Sequence, residues 1–389
     1  MKMRQKGKRV LTALLAMLMV ITMIPVQKVK AAENFTNIRV NEAVTTTFST
    51  DTYEQQKVIY HFKAPKNGVF RVDFNLLQYQ GNDSDSQNLN VYDSKGNKLL
   101  NNISVSRSQP SVSSNIFASK AGQTFIVIVD SYGVGTSQFN VAYTNSENWE
   151  NEFNDSAKTA CTLKNNTFKY GTSNDQSFNS WNDHDYFKFT LKKTSKVKFT
   201  FGPKEVDGSS NYWTVTLFNS NNETKILFGT SSVKTNTVYL KKGTYYVLVK
   251  GSGKMPYKLK YQASAYTVKA PTIKSVKIGK YQTYQGRKYV YKRYLDTISM
   301  AKNSGLTAGY TVQVAKDKAM KHKYINETMK IVSYSDAVTA KAIHYYNRTY
   351  KRNLKTSKST YYVRVRAYIL DPFGHEIYSS YSKVKKVTK

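Results

Sequence analysis

Four short runs of alternating apolar and polar residues occur twice, in the same order, in this sequence of 389 residues. The runs at 70–74, 91–92, 121–129 and 139–143 are matched by runs at 197–201, 217–218, 242–249 and 257–261. Matched runs lie 118 to 127 residues apart. A period of two is typical of strands that bury one face, and blocks repeated at a similar offset favour a tandem duplication. The sequence therefore predicts two consecutive β-sandwiches built on one plan.

A third stretch with strand character follows a linker at 269–272. Its clearest strands are predicted at 309–315 and 361–368, and turn residues follow at 371–374. The content of 31 Tyr with only 7 Pro also favours β structure, because aromatic side chains fit pleated, half-buried surfaces. We predict an all-β chain of three consecutive β-sandwich modules, at 33–146, 147–268 and 269–389, after an N-terminal signal peptide.

The signal peptide is predicted at 1–32. Five basic residues among the first nine precede an uncharged apolar run at 10–25, and the small residues Ala31 and Ala32 follow. This order is typical of a cleaved export signal. Counted through Gln27 the run reaches 18 residues, so an uncleaved membrane anchor is the alternative. After cleavage we expect no transmembrane span, and a protein that is secreted or peripherally attached to the cell surface.

Two acidic motifs mark the start of the second module, at 150–155 and 183–185. Their oxygen-bearing side chains are Glu150, Glu152, Asn154, Asp155, Asp183 and Asp185. Calcium takes six to eight oxygen ligands in flexible geometry, whereas magnesium usually takes one or two carboxylates and zinc prefers nitrogen and sulfur. Converging carboxylates would also repel one another without a cation. We predict a calcium site; the alternative is a capped turn followed by a solvent-facing strand start.

The first module lacks these acids. In register with its duplicate, Gln56 and Val58 stand where Asp183 and Asp185 stand in the second module. The carboxylates are therefore dispensable to the fold, and a site specific to the second module explains them better.

The second module resembles the bacterial pre-peptidase C-terminal domain, a β-sandwich appended to secreted proteases and other exported proteins. The resemblance rests on Glu-x-Glu-x-Asn-Asp at 150–155, Asp-x-Asp-Tyr-Phe at 183–187 and Gly-Thr-Tyr-Tyr-Val at 243–247. It implies that the acidic positions are calcium ligands and that the domain binds enzyme substrates such as collagen or polysaccharide. The first module is similar in its strands and departs from the family at the acidic motifs.

The third module resembles the fibronectin type III domains of clostridial surface proteins. The matching blocks are Gly-Tyr-x-Val-Gln at 309–313, Tyr-Tyr-Val-Arg-Val-Arg-Ala-Tyr at 361–368 and Ser-x-Tyr-Ser-Lys-Val at 379–384. It departs at an early strand, where that family usually has a core Trp and residues 295–300 offer only Ile298 and Met300.

The net charge of +34 is concentrated in the third module, where 269–389 carry 26 Lys and Arg against 6 Asp and Glu, interleaved with Tyr. Such a field attracts polyanions. For an exported protein these are wall polymers or anionic lipids, and no specific nucleic acid is expected. The alternative is that Lys residues line strand edges and prevent aggregation.

Catalysis is not expected, because no Gly-x-Ser-x-Gly, His-Glu-x-x-His or phosphate-loop motif occurs. Cys161 is the only cysteine, and its setting predicts a packed core residue. An exported chain without a disulfide fits a Gram-positive source.

We predict an exported, non-catalytic protein that binds the cell surface or an extracellular polymer. Calcium is expected to stabilise the middle module, and the basic C-terminal module to contact anionic wall polymers. The alternative is a substrate-binding accessory of an extracellular protease or glycosidase, with collagen or polysaccharide as its partner.

Overall fold

A computed structural model describes ten stretches of the chain. They are residues 34–49, 55–80, 86–172, 184–205, 212–252, 256–285, 288–301, 306–330, 342–344 and 360–388. Every regular secondary-structure element within these stretches is a β-strand, so the predicted all-β class of sandwich modules is confirmed. Within the same stretches no helix is long and apolar enough to cross a membrane. The predicted signal peptide at 1–32 lies outside the described residues.

The chain divides into two compact units, Met1–Asn151 and Glu152–Lys389. Paired sheets form three sandwich-like modules, of which the first lies in the first unit and the other two lie in the second. The module boundaries 33–146, 147–268 and 269–389 stay predictions.

The first sandwich contains ten strands within its described residues. They are β1 (Phe35–Asn37), β2 (Ala43–Phe48), β3 (Gln56–Lys63), β4 (Gly68–Gln80), β5 (Gln87–Asp93), β6 (Lys98–Val105), β7 (Ser111–Ser113), β8 (Phe117–Ser119), β9 (Thr124–Ser131) and β10 (Val134–Asn145). One sheet has the order β1-β3-β9-β5-β6 and the other β2-β10-β4-β7, with β8 beside β4. Alternate side chains of these strands, such as Phe70, Val72 and Phe74, fill the space between the sheets.

In the part of the chain that the structure describes, the second sandwich contains nine strands. They are β11 (Cys161–Thr162), β12 (Lys169–Gly171), β13 (Asp185–Leu191), β14 (Ser195–Pro203), β15 (Tyr212–Asn219), β16 (Thr224–Thr230), β17 (Lys234–Leu240), β18 (Gly243–Ser252) and β19 (Tyr257–Ala265). Its sheets have the orders β11-β13-β18-β15-β16 and β12-β19-β14-β17. Apart from β8, each strand of the first sandwich has a counterpart at the same place in the corresponding sheet of the second. In both sandwiches the first strand runs parallel to its neighbour, β1 to β3 and β11 to β13. Cys161 is buried in this core.

The described stretches of the third sandwich contain eight strands. They are β20 (Ile273–Gln285), β21 (Lys288–Met300), β22 (Gly309–Ala315), β23 (Lys323–Lys330), β24 (Ala342–His344), β25 (Thr360–Leu370), β26 (Glu376–Tyr378) and β27 (Lys385–Thr388). One sheet has the order β20-β21-β24; the other has the order β23-β22-β25-β26, with β27 also paired to β25. Ile298 and Met300, the residues that stand in place of a core Trp, are both buried between the sheets.

A turn of the third sandwich, at 371–375, contacts the second sandwich within their shared unit. The ring of Phe373 stacks on that of Tyr245, with centroids 6.4 Å apart and an angle of 4° between planes. His375 Nε2 lies 2.9 Å from Glu223 Oε1. The buried Asp371 carboxylate accepts hydrogen bonds from the backbone N–H groups of Phe373 and His375 and so shapes the turn. Burial, reinforced by the negative charge of Asp371, raises the pKa of Tyr245 to about 12.

The raised pKa of Tyr245 predicts an alkaline limit on stability. The neutral Tyr245 hydroxyl contributes to the free energy of unfolding. This contribution is complete below the unfolded-state pKa of about 10 and is lost as pH rises through about 12. As pH rises from about 10 to about 12, the free energy of unfolding should therefore fall less in Tyr245→Phe than in the parent. The difference between the two falls is at most about 2 to 3 kcal/mol. Urea unfolding at a series of pH values measures it, with the exposed Tyr212→Phe as control. Equal losses in Tyr245→Phe and the parent would contradict the assignment.

Candidate metal centre

The first acidic motif lies on the irregular segment that leads from β10 to β11, and most of it is turned inward. Glu150 and Asn154 have no exposed surface, and Glu152 is 5% exposed. The backbone N–H of Tyr186 donates to the carbonyl of Asn154 over 3.0 Å, which ties this segment to the first residues of β13. Acidic side chains are rarely buried to this extent without a compensating group.

Three carboxylates from the two acidic motifs meet at this point. Glu150, Glu152 and Asp185 each present a carboxylate oxygen, and these oxygens all lie within 4.8 Å of one another. Asp185 is the first residue of β13 and is 1% exposed, so all three groups are withdrawn from water. Negative charges this close in a low-dielectric setting repel strongly unless they bind protons or a cation. The triad can therefore hold a metal ion.

Tyr257, the first residue of β19 in the opposite sheet, positions one member of the triad. Its hydroxyl donates to Asp185 Oδ2 over 2.6 Å, and its ring is fully buried against Phe201 and Trp213. A hydrogen bond to a buried carboxyl group offsets part of its desolvation cost, so Tyr257 supports the inward position of Asp185.

Sequence reasoning did not single out Tyr257, although the duplication contains a signal for it. In the first sandwich, Phe139 stands at the matched position and carries no hydroxyl. The pairing registers of β3 with β9 and of β13 with β18 place Val58 where the second sandwich has Asp185. Both polar partners are thus replaced by apolar residues in the same copy, which indicates that they act together.

The other predicted ligands have different positions. Asn154 is buried on the same segment as Glu150 and Glu152, whereas Asp155 is exposed at the surface and does not join the triad. Partial desolvation raises the pKa of the Asp155 carboxyl, and a hydrogen bond from the backbone of His184 opposes that rise. Asp183 lies outside the described residues.

Turn capping does not account for the triad. The short turn after the motif is closed by Ser156, whose hydroxyl lies 2.8 Å from that of Thr159 and whose carbonyl accepts from the Thr159 N–H. The inward-facing acids precede this turn and take no part in these bonds.

Comparison with known proteins does not assign the chain to a family. No protein-family model matches the chain, and the sequence of no curated protein matches it. The pre-peptidase C-terminal domain of a Bacillus anthracis collagenase is similar at 12% identity, over 28% of this chain and 96% of that domain, with a TM-score of 0.22. The CUB1-EGF-CUB2 region of rat MASP-1 is similar at 10% identity over 59% of this chain and 100% of that one, with a TM-score of 0.18.

A GH2 β-galacturonidase from Eisenbergiella tayi is also similar, at 9% identity over 53% of this chain and 34% of that enzyme, with a TM-score of 0.16. TM-scores this low say nothing about what the chain binds.

Replacing the Asp185–Tyr257 pair with the residues of the first sandwich should abolish the metal response. In Asp185→Val with Tyr257→Phe, one of three repelling carboxylates is gone, so the chelator-treated protein should be at least as stable as the chelator-treated parent. A divalent cation at about 100 times its Kd should stabilise the parent by about 2.7 kcal/mol and leave the double variant unchanged.

Melting temperatures with chelator and with added cation measure both effects. Tyr257→Phe alone is the matched control, since it keeps the triad and should keep a weakened response. A double variant that responds to the cation as fully as the parent would show that the ion binds elsewhere.

Proposed function

We propose that this chain is an exported, non-catalytic binding protein with a calcium-stabilised second sandwich and a third sandwich that contacts anionic wall polymers. The observation that carries the proposal is the buried carboxylate triad of Glu150, Glu152 and Asp185. A module that buries three acids at its N-terminal edge gains stability only where the cation is available, and calcium is abundant outside cells.

The ligand chemistry favours calcium over other cations. The triad offers only hard carboxylate oxygens, which suit calcium; zinc would favour histidine or cysteine, and magnesium usually keeps several waters. Asn154 and Asp183 complete the ligand set that we propose, because one is buried on the same segment and the other is two residues before Asp185. Asp155 is left out, since its side chain is exposed.

We also infer that the first two sandwiches are a tandem pair of the pre-peptidase C-terminal type. Their shared strand order and the sequence blocks of the second copy support this assignment. The third sandwich, with its blocks at 309–313, 361–368 and 379–384, is assigned to the fibronectin type III-like class on the same grounds.

The proposed partner of the third sandwich follows from its charge. Residues 269–389 carry 26 Lys and Arg against 6 Asp and Glu, more than solubility of one module requires. Anionic wall polymers are the oppositely charged surface that an exported protein of a Gram-positive cell meets first. The second candidate, an accessory that carries an extracellular protease or glycosidase to collagen or polysaccharide, follows from the resemblance of the second sandwich.

Calcium should bind the purified protein and raise its melting temperature. Glu150→Gln and Glu152→Gln each remove one ligand charge, and each should weaken calcium binding at least tenfold, about 1.4 kcal/mol. Titration calorimetry and thermal melting with and without chelator measure the effect. Glu147→Gln, an exposed acid three residues before Glu150, is the matched control and should bind like the parent. Absence of both a calcium heat and a chelator effect would refute the calcium assignment.

Retention on isolated cell walls should fall steeply with salt. Contacts between Lys or Arg and wall phosphates are screened within about 10 Å at 0.1 M salt and more strongly above it. Sedimentation of the protein with purified wall at increasing NaCl concentration measures this, with collagen and chitin as parallel supports. Retention on wall that high salt leaves unchanged would contradict the electrostatic contact, and selective retention on collagen or chitin would favour the accessory function.

A further inference from the structure

The third sandwich carries a continuous row of tyrosine rings and guanidinium groups on the outer face of its β25 sheet, with the buried Tyr368 at one end. The row, here called the tyrosine–arginine ladder, consists of Tyr368, Tyr378, Arg366, Tyr381 and Arg364. The rings of Tyr368 and Tyr378 have centroids 5.6 Å apart. Arg366 Cζ lies 3.6 Å from the Tyr378 centroid and 5.1 Å from that of Tyr381, and Arg364 Cζ lies 4.2 Å from the Tyr381 centroid.

Strand alternation places both arginines on this face. Arg364 and Arg366 are two residues apart on β25, while Val363 and Val365 between them point into the core. Each arginine remains partly accessible. The spacing of two residues along a strand separates the two Cα atoms by about 7 Å.

The segment at 379–384 fixes the second half of the ladder without being a regular strand. Ser379 Oγ accepts from the Ala367 N–H over 2.9 Å, and Ser382 Oγ accepts from the Val365 N–H over 3.0 Å. The N–H groups of both serines donate back to the carbonyls of Ala367 and Val365. Tyr381 lies between these two anchors, so its ring is held beside β25.

Each guanidinium carbon lies over a tyrosine ring, and the guanidinium N–H groups can bond other partners. Arg364 Nε donates to Gln313 Oε1 over 2.7 Å, and the Gln313 amide donates in turn to Asn326 Oδ1 over 2.9 Å. Arg366 Nε is buried without a hydrogen-bond partner. Within the described part of the chain, neither arginine lies in an ion pair with a carboxylate.

We propose that the tyrosine–arginine ladder is a binding site for successive oxyanions of an extended anionic polymer, with Arg364 and Arg366 as the two anion-binding groups. This inference rests on the proposed function of the third sandwich and names the place on it where the polymer binds. A guanidinium fork matches the oxygens of a phosphate or carboxylate group, whereas an ammonium acts as a point charge.

The ring contacts also reduce the entropic cost of ordering the two arginine side chains on binding, because the rings already hold them in place. Glu376 lies near Tyr368 at one end of the ladder: burial, and after it the negative charge of Glu376, raises the pKa of Tyr368. An anionic chain is therefore favoured along Arg366 and Arg364 and disfavoured beyond Tyr368. On β23, Asn326 lies in register with Gln313 and Arg364, and Thr328 lies in register with Thr311 and Arg366. Both β23 residues are exposed and offer neutral hydrogen-bonding groups beside the ladder.

The test compares two charge-matched double variants of the full chain. Arg364→Gln with Arg366→Gln removes two charges from the ladder, and Lys318→Gln with Lys321→Gln removes two charges from exposed positions outside it. Binding is measured by fluorescence anisotropy with two labelled probes, poly(glycerol phosphate) and polygalacturonate, which separate phosphate from carboxylate chemistry. The ladder variant should lose at least tenfold in affinity for the probe that the parent binds, and the lysine variant less than threefold.

A third variant, Arg364→Lys with Arg366→Lys, keeps the charge and removes the fork. It should bind as weakly as the glutamine pair to within about threefold, and it decides the question if the glutamine pair fails to fold. Equal losses in the ladder and lysine variants, or full binding by the Arg→Lys pair, would overturn the ladder site and leave the proposed polyanion contact standing. A parent chain that binds neither probe overturns both.

Discussion

Each strand of these sandwiches must place alternate side chains between two sheets, and this constraint decides where charge becomes buried. On β13, Asp185 shares the inward row with Phe187 and Phe189, so its carboxylate lies on the core side of the sheet. A carboxylate in that row destabilises the fold unless a hydrogen-bond donor and a cation or proton compensate it. Tyr257 donates from the opposite sheet, and Glu150 and Glu152 bring two further carboxylates to the same position, a cluster that could hold a cation.

The same alternation made much of the fold predictable from sequence. Period-two runs predicted the all-β class. The matched blocks predicted that Val58 in the first sandwich occupies the position that Asp185 has in the second, and the strand registers agree. Alternation says little about irregular segments, however. Spacing alone could not decide that Glu152 and Asn154 turn inward while Asp155 stays at the surface, because the chain between β10 and β11 has no strand geometry to fix side-chain direction.

Contacts between residues far apart in sequence were the second feature that the sequence did not predict. Tyr257 follows Asp185 by 72 residues and reaches it only because two sheets pack face to face. The tyrosine–arginine ladder has the same cause on a smaller scale. A shared face for Arg364 and Arg366 follows from their spacing, but the ring of Tyr381 joins them only through serine bonds to the β25 backbone, in a segment that no strand pattern marks.

The two kinds of positive charge on the third sandwich act over different distances. Exposed lysines such as Lys318 and Lys321 contribute to a long-range field that raises the rate of encounter with a polyanion and weakens as salt shortens the Debye length. Stacked guanidinium groups add little to that field beyond their formal charge. Their fixed orientation acts at contact, where bidentate geometry slows dissociation. A surface with lysines alone would capture many polyanions weakly, whereas a fixed pair of forks would select chains whose oxyanions match the spacing of Arg364 and Arg366.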